Sequence, residues 1–192
     1  MGIAYCLIRA APEVVEQLRG HPKAVADFVY RDPEAYEEPG RGIFGRLFGT
    51  RPPQLAVIPS RRENDEADLD KSWHIVHYLL TGETGRAVGP LRLIGDDLNP
   101  LADIDLGLGK PNVVSVADVK AFALATETMS DDDFLRRFKP AEMPTDELYM
   151  GDVIARGDHD DMKEYALENF HALRDFVAGA AHSDDAIITY YS

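Results

Sequence analysis

The chain has 192 residues, 45% of them hydrophobic and 28% charged, which is typical of one globular domain and excludes a disordered or fibrous protein. Its formal net charge of −14 disfavours nucleic acid and anionic membrane surfaces, so we expect it to bind neither. The single cysteine, Cys6, cannot form an internal disulfide, and the sequence has no run of 18 apolar residues and no secretory leader, which together predict a cytoplasmic protein.

The first 64 residues divide into an ordered part and an irregular part. Residues 3–8 are apolar and include β-branched and aromatic side chains, which predicts a buried strand. Prolines in the first turns predict two short helices, at residues 12–18 and 22–30. Residues 31–64 are rich in Pro, Gly and Arg, and we expect an irregular insertion there with a strand only at 55–58 and one buried turn at 43–48.

The middle of the chain begins with a helix at residues 70–80, bounded by an acid at its start and by Gly82 just past its end. Residues 91–94 predict a strand, and residues 96–112 predict a loop. Val113 and Val114 add a short strand before Ser115, which begins the next helix as a capping residue paired with Asp118.

The last third of the sequence is predominantly helical. Ser115 starts a helix that runs to about residue 127, and Ser130 with Asp133 repeats the same capping pattern for a helix through residue 138. Residues 139–156 predict a loop, and the longest helix starts at Asp158 or Asp160. Residues 186–191 predict a final strand beside the first one.

This order of elements predicts an α/β protein with three layers, in which helices pack on a mixed central sheet with strands near both termini. We expect a single domain over residues 1–192, with the irregular insertion at about residues 31–64.

The predicted helix at residues 70–80 holds the densest set of chemically useful side chains. The candidate pocket residues on it are Asp70, Lys71, Trp73, His74, His77 and Tyr78. Asp70, His74 and His77 are four and three residues apart, so they could share one helix face as an acid/base set. The alternatives are a ligand pocket without chemistry and a packing role, in which His77 hydrogen-bonds a backbone carbonyl.

Glycines at Gly107 and Gly109 give a second candidate, because glycine lets backbone N–H groups approach an anion. The segment does not match a phosphate loop, since Pro111 follows Lys110 where serine or threonine is required, and a tight turn is the simpler interpretation. No metal-ligand motif accompanies the two histidines, so we predict no metal site and no cofactor.

The string Asp68-x-Asp70-Lys71-x-Trp73, followed by His77-Tyr78 and Leu80-Thr81-Gly82, resembles the signature helix of the bacterial YfbM-like family of domain-of-unknown-function proteins. The glycine turn, the helix after it, and the long helix with a terminal strand match that family in order and spacing. The resemblance implies a three-layer α/β fold and a bacterial cytosolic origin, and it brings no assigned reaction or catalytic residue.

No complete catalytic set can be assembled from the sequence, and residues 131–185 carry 15 acidic against 6 basic residues. These two features favour a non-catalytic interaction or ligand-binding module with a basic protein partner, of which an immunity-type inhibitor is one form. The alternative is a small-molecule enzyme, a hydrolase, with His77 as the base, Asp70 orienting it and Trp73 forming a wall of the pocket. The arginine-rich loop at residues 41–51 and the oligomeric state have no assignment from the sequence.

Overall fold

A computed structural model describes residues 2–30, 65–94 and 99–192. The strand predicted at 55–58, the apolar turn at 43–48 and the arginine-rich loop at 41–51 lie outside these residues. The described chain contains seven α-helices and four strands. In chain order they are β1 (Tyr5–Ala10), α1 (Pro12–Gly20), α2 (Lys23–Tyr30), β2 (Glu66–Asp68), α3 (Trp73–Thr81), β3 (Asn112–Val114), α4 (Val116–Thr126), α5 (Asp131–Leu135), α6 (Gly151–Arg156), α7 (His159–His182) and β4 (Ala186–Tyr191).

The four strands form one sheet in the order β2-β1-β4-β3. The last strand lies beside the first, as predicted, and Leu7 of β1 faces Thr189 of β4 on one side and Ala67 of β2 on the other. β3 then pairs with the outer edge of β4, with Val113 opposite Ile188. The two ends of the described chain therefore meet at the centre of the sheet.

Helices cover both faces of the sheet, which confirms the α/β fold with three layers. Tyr5 and Leu7 point to the larger core, which α3, α4, α5, α6 and α7 complete. Cys6 and Ile8 alternate with them and point to the smaller core, under α1 and α2. Because both faces of β1 are buried, its sequence is a continuous apolar run and does not alternate between apolar and polar residues. This apolar run is the feature from which the position of β1 is predicted.

The sheet differs from the predicted mixed sheet in strand direction, because all three pairs of adjacent strands among the described residues are antiparallel. A run that is apolar on both faces is more common in parallel sheets, but its direct cause is burial of both faces, and an antiparallel strand covered by helices on both sides has the same pattern. The predicted strand at 91–94 is also wrong. Those residues form no ladder, although Leu93 and Ile94 are buried in the larger core.

The structure also corrects one predicted boundary and adds two elements that the sequence does not predict. The loop predicted at residues 139–156 contains α6, whose N-terminus has no side-chain cap and so leaves no signal in the sequence. α5 ends at Leu135 instead of continuing to residue 138. β2 was not predicted, because its sequence Glu-Ala-Asp has none of the residues that favour strands.

Candidate functional site

The signature residues lie on α3 and on the 3₁₀ turn Asp70–Ser72 that leads into it. α3 packs on the larger core through Ile75, Val76, Leu79 and Leu80. It ends at Gly82, whose φ of +82° is a left-handed conformation that favours glycine, and its last carbonyls accept hydrogen bonds from Arg137. The helix is therefore held at its C-terminus by Arg137, which follows α5.

Asp70 and Lys71 connect the start of α3 to α7. The Tyr165 hydroxyl donates to the Asp70 carboxylate at 2.6 Å and accepts from the Lys71 N–H at 3.1 Å. Burial and the bond to Asp70 raise the pKa of Tyr165 to about 12. Asp70 has φ +44°, which turns its carboxylate toward α7, and no hydrogen bond joins it to His74 or His77 in the described structure. The Asp70–His74 face predicted from helical spacing is absent because the regular helix begins only at Trp73.

Trp73 fixes the segment that precedes β1. Its indole N–H donates to the Ile3 carbonyl at 3.2 Å, and the Ile3 N–H donates to the Tyr149 hydroxyl at 2.7 Å. The indole lies against Tyr149 and makes an edge contact with Tyr191 of β4. Trp73 therefore packs in an aromatic contact that joins α3 to β4 and to Tyr149.

His74 bridges two other segments of the chain. Its Nε2 lies 2.6 Å from the Thr84 carbonyl, and its Nδ1 accepts from the Tyr149 N–H at 3.0 Å. Because a carbonyl can only accept, Nε2 carries the proton and the ring is neutral in this arrangement. Thr84 in turn donates its hydroxyl to the Glu147 carboxylate at 2.7 Å.

His77 is almost completely buried, with 3% of its surface exposed. Its Nε2 lies 2.8 Å from the Gly85 carbonyl, as the packing interpretation predicts. Burial lowers the pKa of His77, so the neutral ring is favoured. The neighbouring Tyr78 is half-buried against the larger core. The His77 ring therefore binds the turn after α3, in a position that solvent scarcely reaches.

Gly107 and Gly109 lie in a tight turn, as the simpler interpretation predicts. Both have positive φ, and both of their N–H groups donate to the Asp105 carboxylate, at 2.7 and 3.2 Å. The same N–H groups would be needed to hold an anion, and an acidic side chain already occupies them. Leu106, within this turn, packs against the smaller core, whereas α3 belongs to the larger one, so the sheet separates the two candidates.

The residues that complete the α3 site could not be found from the sequence. Tyr149 and Tyr165 are 75 and 95 residues away from the groups they bind, and Thr84 contributes its backbone carbonyl to His74. Backbone acceptors leave no trace in residue identity. Within residues 2–30, 65–94 and 99–192 no three His, Cys, Asp or Glu side chains could hold a metal ion together, and no helix is long and apolar enough to cross a membrane.

The fold and the α3 contacts define a class of α/β protein in which side chains of the signature helix bind the backbone at three places. These are Ile3, the turn at Thr84 and Gly85, and Tyr149. The chain belongs to the family described as a domain of unknown function, DUF1877, whose model matches residues 1–190. Among solved structures it is similar to the protein of unknown function YfbM from Escherichia coli, with a TM-score of 0.64, 14% sequence identity, and 99% of each chain covered. A search of curated proteins found no significant match.

Proposed function

We propose that the protein is a non-catalytic binding module that uses the outer face of α7 to bind a basic protein partner. An immunity-type inhibitor is one concrete form of such a module. The observation that carries the proposal is a row of exposed carboxylates on α7, formed by Asp161, Glu164 and Glu168. None of the three is in an ion pair with any described residue.

The spacing of these acids places them on one side of the helix. They are three and four residues apart, so their side chains follow one another along the surface of α7. Met162, Ala166 and Phe170 occupy the opposite, buried side. α7 is thus anchored by its apolar residues, and its charged row faces solvent over about two helical turns.

The basic residues close to this row are engaged with other groups. Lys163 pairs with Asp160 at 3.4 Å and lies over the ring of Phe138. Arg174 lies over the ring of Phe170 and donates to the Met129 carbonyl at 3.3 Å. The negative charge of the row is therefore not neutralised locally, and an uncompensated row of this sign attracts and orients a basic surface.

The contacts of α3 support a binding role over the alternative of a hydrolase with His77 as its base. A general base must reach the proton it removes, and His77 is buried with its Nε2 bound to the Gly85 carbonyl. The proposed orienting residue, Asp70, is bound to Tyr165 instead.

The test compares two double charge reversals with the same net charge. Glu164→Lys with Glu168→Lys changes the acidic row, and Glu13→Lys with Glu16→Lys changes exposed acids on α1, in the other helical layer. Each pair changes the net charge from −14 to −10, because each substitution adds two positive units. The probe is a fluorescent peptide of ten lysines, with binding followed by anisotropy at about 0.15 M NaCl.

We expect the α7 variant to lose at least about tenfold in affinity, or about 1.4 kcal/mol, and the α1 variant to lose much less. Circular dichroism of both variants checks that they are folded. Equal losses in the two variants would mean that binding follows net charge alone, and that result would overturn the assignment to α7.

A further inference from the structure

We propose that His74 and His77 form a pH-sensitive latch that holds two neighbouring segments on α3 while both rings are neutral, and that a proton on His74 releases the second of these segments, at Tyr149. The segments are the turn after α3, at residues 83–86, and the stretch before α6, at residues 147–149. This device is independent of the binding role proposed for α7.

The first half of the latch is a pair of carbonyl contacts. His74 and His77 lie one helical turn apart, with ring centroids separated by 6.4 Å. Their Nε2 atoms bind the carbonyls of two consecutive residues, Thr84 and Gly85, at 2.6 and 2.8 Å. The turn after α3 is therefore attached to the helix it follows through two imidazole rings placed side by side.

The second half of the latch depends on the protonation state of His74. Its Nδ1 accepts from the Tyr149 N–H at 3.0 Å, and only an unprotonated nitrogen can accept. A proton on Nδ1 turns this contact into two opposed donors, so the Tyr149 backbone must move away. Nε2 keeps its proton and its bond to the Thr84 carbonyl in either state, so the contact that breaks is the one to Tyr149. The hydrogen bond from Thr84 to Glu147 then remains as a link between the two segments.

His77 adds a second unfavourable charge on acidification. A proton on this ring places a cation where 3% of the side chain is exposed, and Nδ1 has no hydrogen-bond partner among the described residues. Burial lowers the pKa of His77 below its ordinary value of about 6.5. The unfolded chain therefore binds this proton more readily than the folded one, and the free energy of unfolding falls as the pH drops through about 6.5.

Charged groups around the latch shift the pKa of His77 in both directions. Glu83, in the attached turn, favours the protonated form of His77, and the nearby His74 ring opposes it. Glu147 reaches the latch through Thr84, and Arg137 binds the last carbonyls of α3. At the start of α3 the carboxylate of Asp70 is engaged with Tyr165 of α7. Burial is the largest influence on His77, so the acids reduce the lowering of its pKa without reversing it.

The test on the unmodified protein is amide hydrogen exchange at about pH 7 and pH 5, followed by NMR and corrected for the intrinsic dependence of exchange on pH. We expect protection of the Tyr149 amide to fall at least tenfold more at the lower pH than that of Phe122, a core amide of α4 that reports the global free energy of unfolding. Trp73 gives a second readout, because it is the single tryptophan and stacks on His74 at 4.7 Å. A protonated imidazole quenches a stacked indole, so its fluorescence should fall on acidification.

Three variants assign the effect to the latch. His74→Gln and His77→Gln keep a side-chain N–H donor and cannot titrate. The first should remove most of the pH dependence of Tyr149 exchange, and the second should remove the contribution of His77 to the fall in the free energy of unfolding. His182→Gln, exposed at the end of α7, is the matched control and should behave like the wild type. Tyr149 protection that is the same at both pH values in the wild type would overturn the proposal. So would a full loss of protection that persists in both glutamine variants.

Discussion

At the scale of single residues, Gly151 occupies a position where the folded structure brings two stretches of backbone into close contact. Gly151 starts α6 against the backbone of Thr145. A Cβ atom placed there would overlap with the Thr145 carbonyl oxygen, and the carbonyl carbon would lie 2.8 Å away. Backbone atoms cannot turn aside as a flexible side chain can, so this position requires glycine for reasons of space.

We therefore expect Gly151→Ala to destabilise the protein by about 1–3 kcal/mol, the usual range for overpacking a buried site. Urea unfolding followed by circular dichroism measures the change. The matched control is Gly20→Ala, at the end of α1, where a Cβ would meet nothing within 4 Å. That control should be neutral or stabilising by about 0.4–1 kcal/mol, since alanine restricts the unfolded chain. Equal effects at the two positions would contradict the steric argument.

At the scale of elements, a side-chain cap marks the residue at which a helix begins, and the starts of α4 and α5 are predicted from such caps. Ser115 accepts from the Asp118 N–H and donates to its carboxylate, and Ser130 does the same with Asp133. These contacts are local, so the residues that make them stand three apart in the sequence. α6 has no such contact, and its start depends on Met150 with φ +62° and on the space left by Thr145.

Loss of a cap should be measurable by itself. We expect Ser115→Ala to lower the free energy of unfolding by about 1 kcal/mol, because the Asp118 N–H loses its acceptor. Ser183→Ala provides the control, at the C-terminal end of α7, where the serine is exposed. Its effect should stay within about 0.5 kcal/mol. A loss at Ser183 as large as that at Ser115 would show that the change reflects serine replacement in general and not the cap.

At the scale of the whole molecule, the net charge affects the stability of the folded state, whereas the order of the strands in the sheet is determined by burial. The 34 acidic residues against 20 basic ones leave a surface that repels itself, which opposes the compact state. The sheet order, with β1 and β4 at the centre, has no relation to that charge and follows from burial of both faces.

Screening this repulsion should stabilise the protein. We expect Tm to rise by roughly 2–4 °C between about 0.02 and 0.5 M NaCl, which corresponds to about 1 kcal/mol for a chain of this size. Differential scanning calorimetry measures the shift. The variant with Glu164→Lys and Glu168→Lys has a net charge of −10 instead of −14, so its Tm should rise less. A Tm that is constant or falls with salt would show that ion pairs such as Arg9–Asp65 outweigh the repulsion.

Much of the fold could be predicted from the sequence, because its determinants are local. The apolar strands at both ends, the two serine caps and the period of α7 are patterns of residues near one another in the chain, and the structure confirms them. The residues of the signature helix were also recognisable as a group. Their identities, however, were equally compatible with a catalytic face and with a packing role.

Only the tertiary structure decided between partners for those residues. It turned Asp70 toward Tyr165, bound His74 and His77 to the carbonyls of Thr84 and Gly85, and placed the glycine turn across the sheet from α3. It also made the sheet antiparallel. These choices depend on backbone groups and on residues that are distant in the sequence. A hydrogen bond to a carbonyl requires no particular residue type, so it leaves no pattern to be read in the sequence.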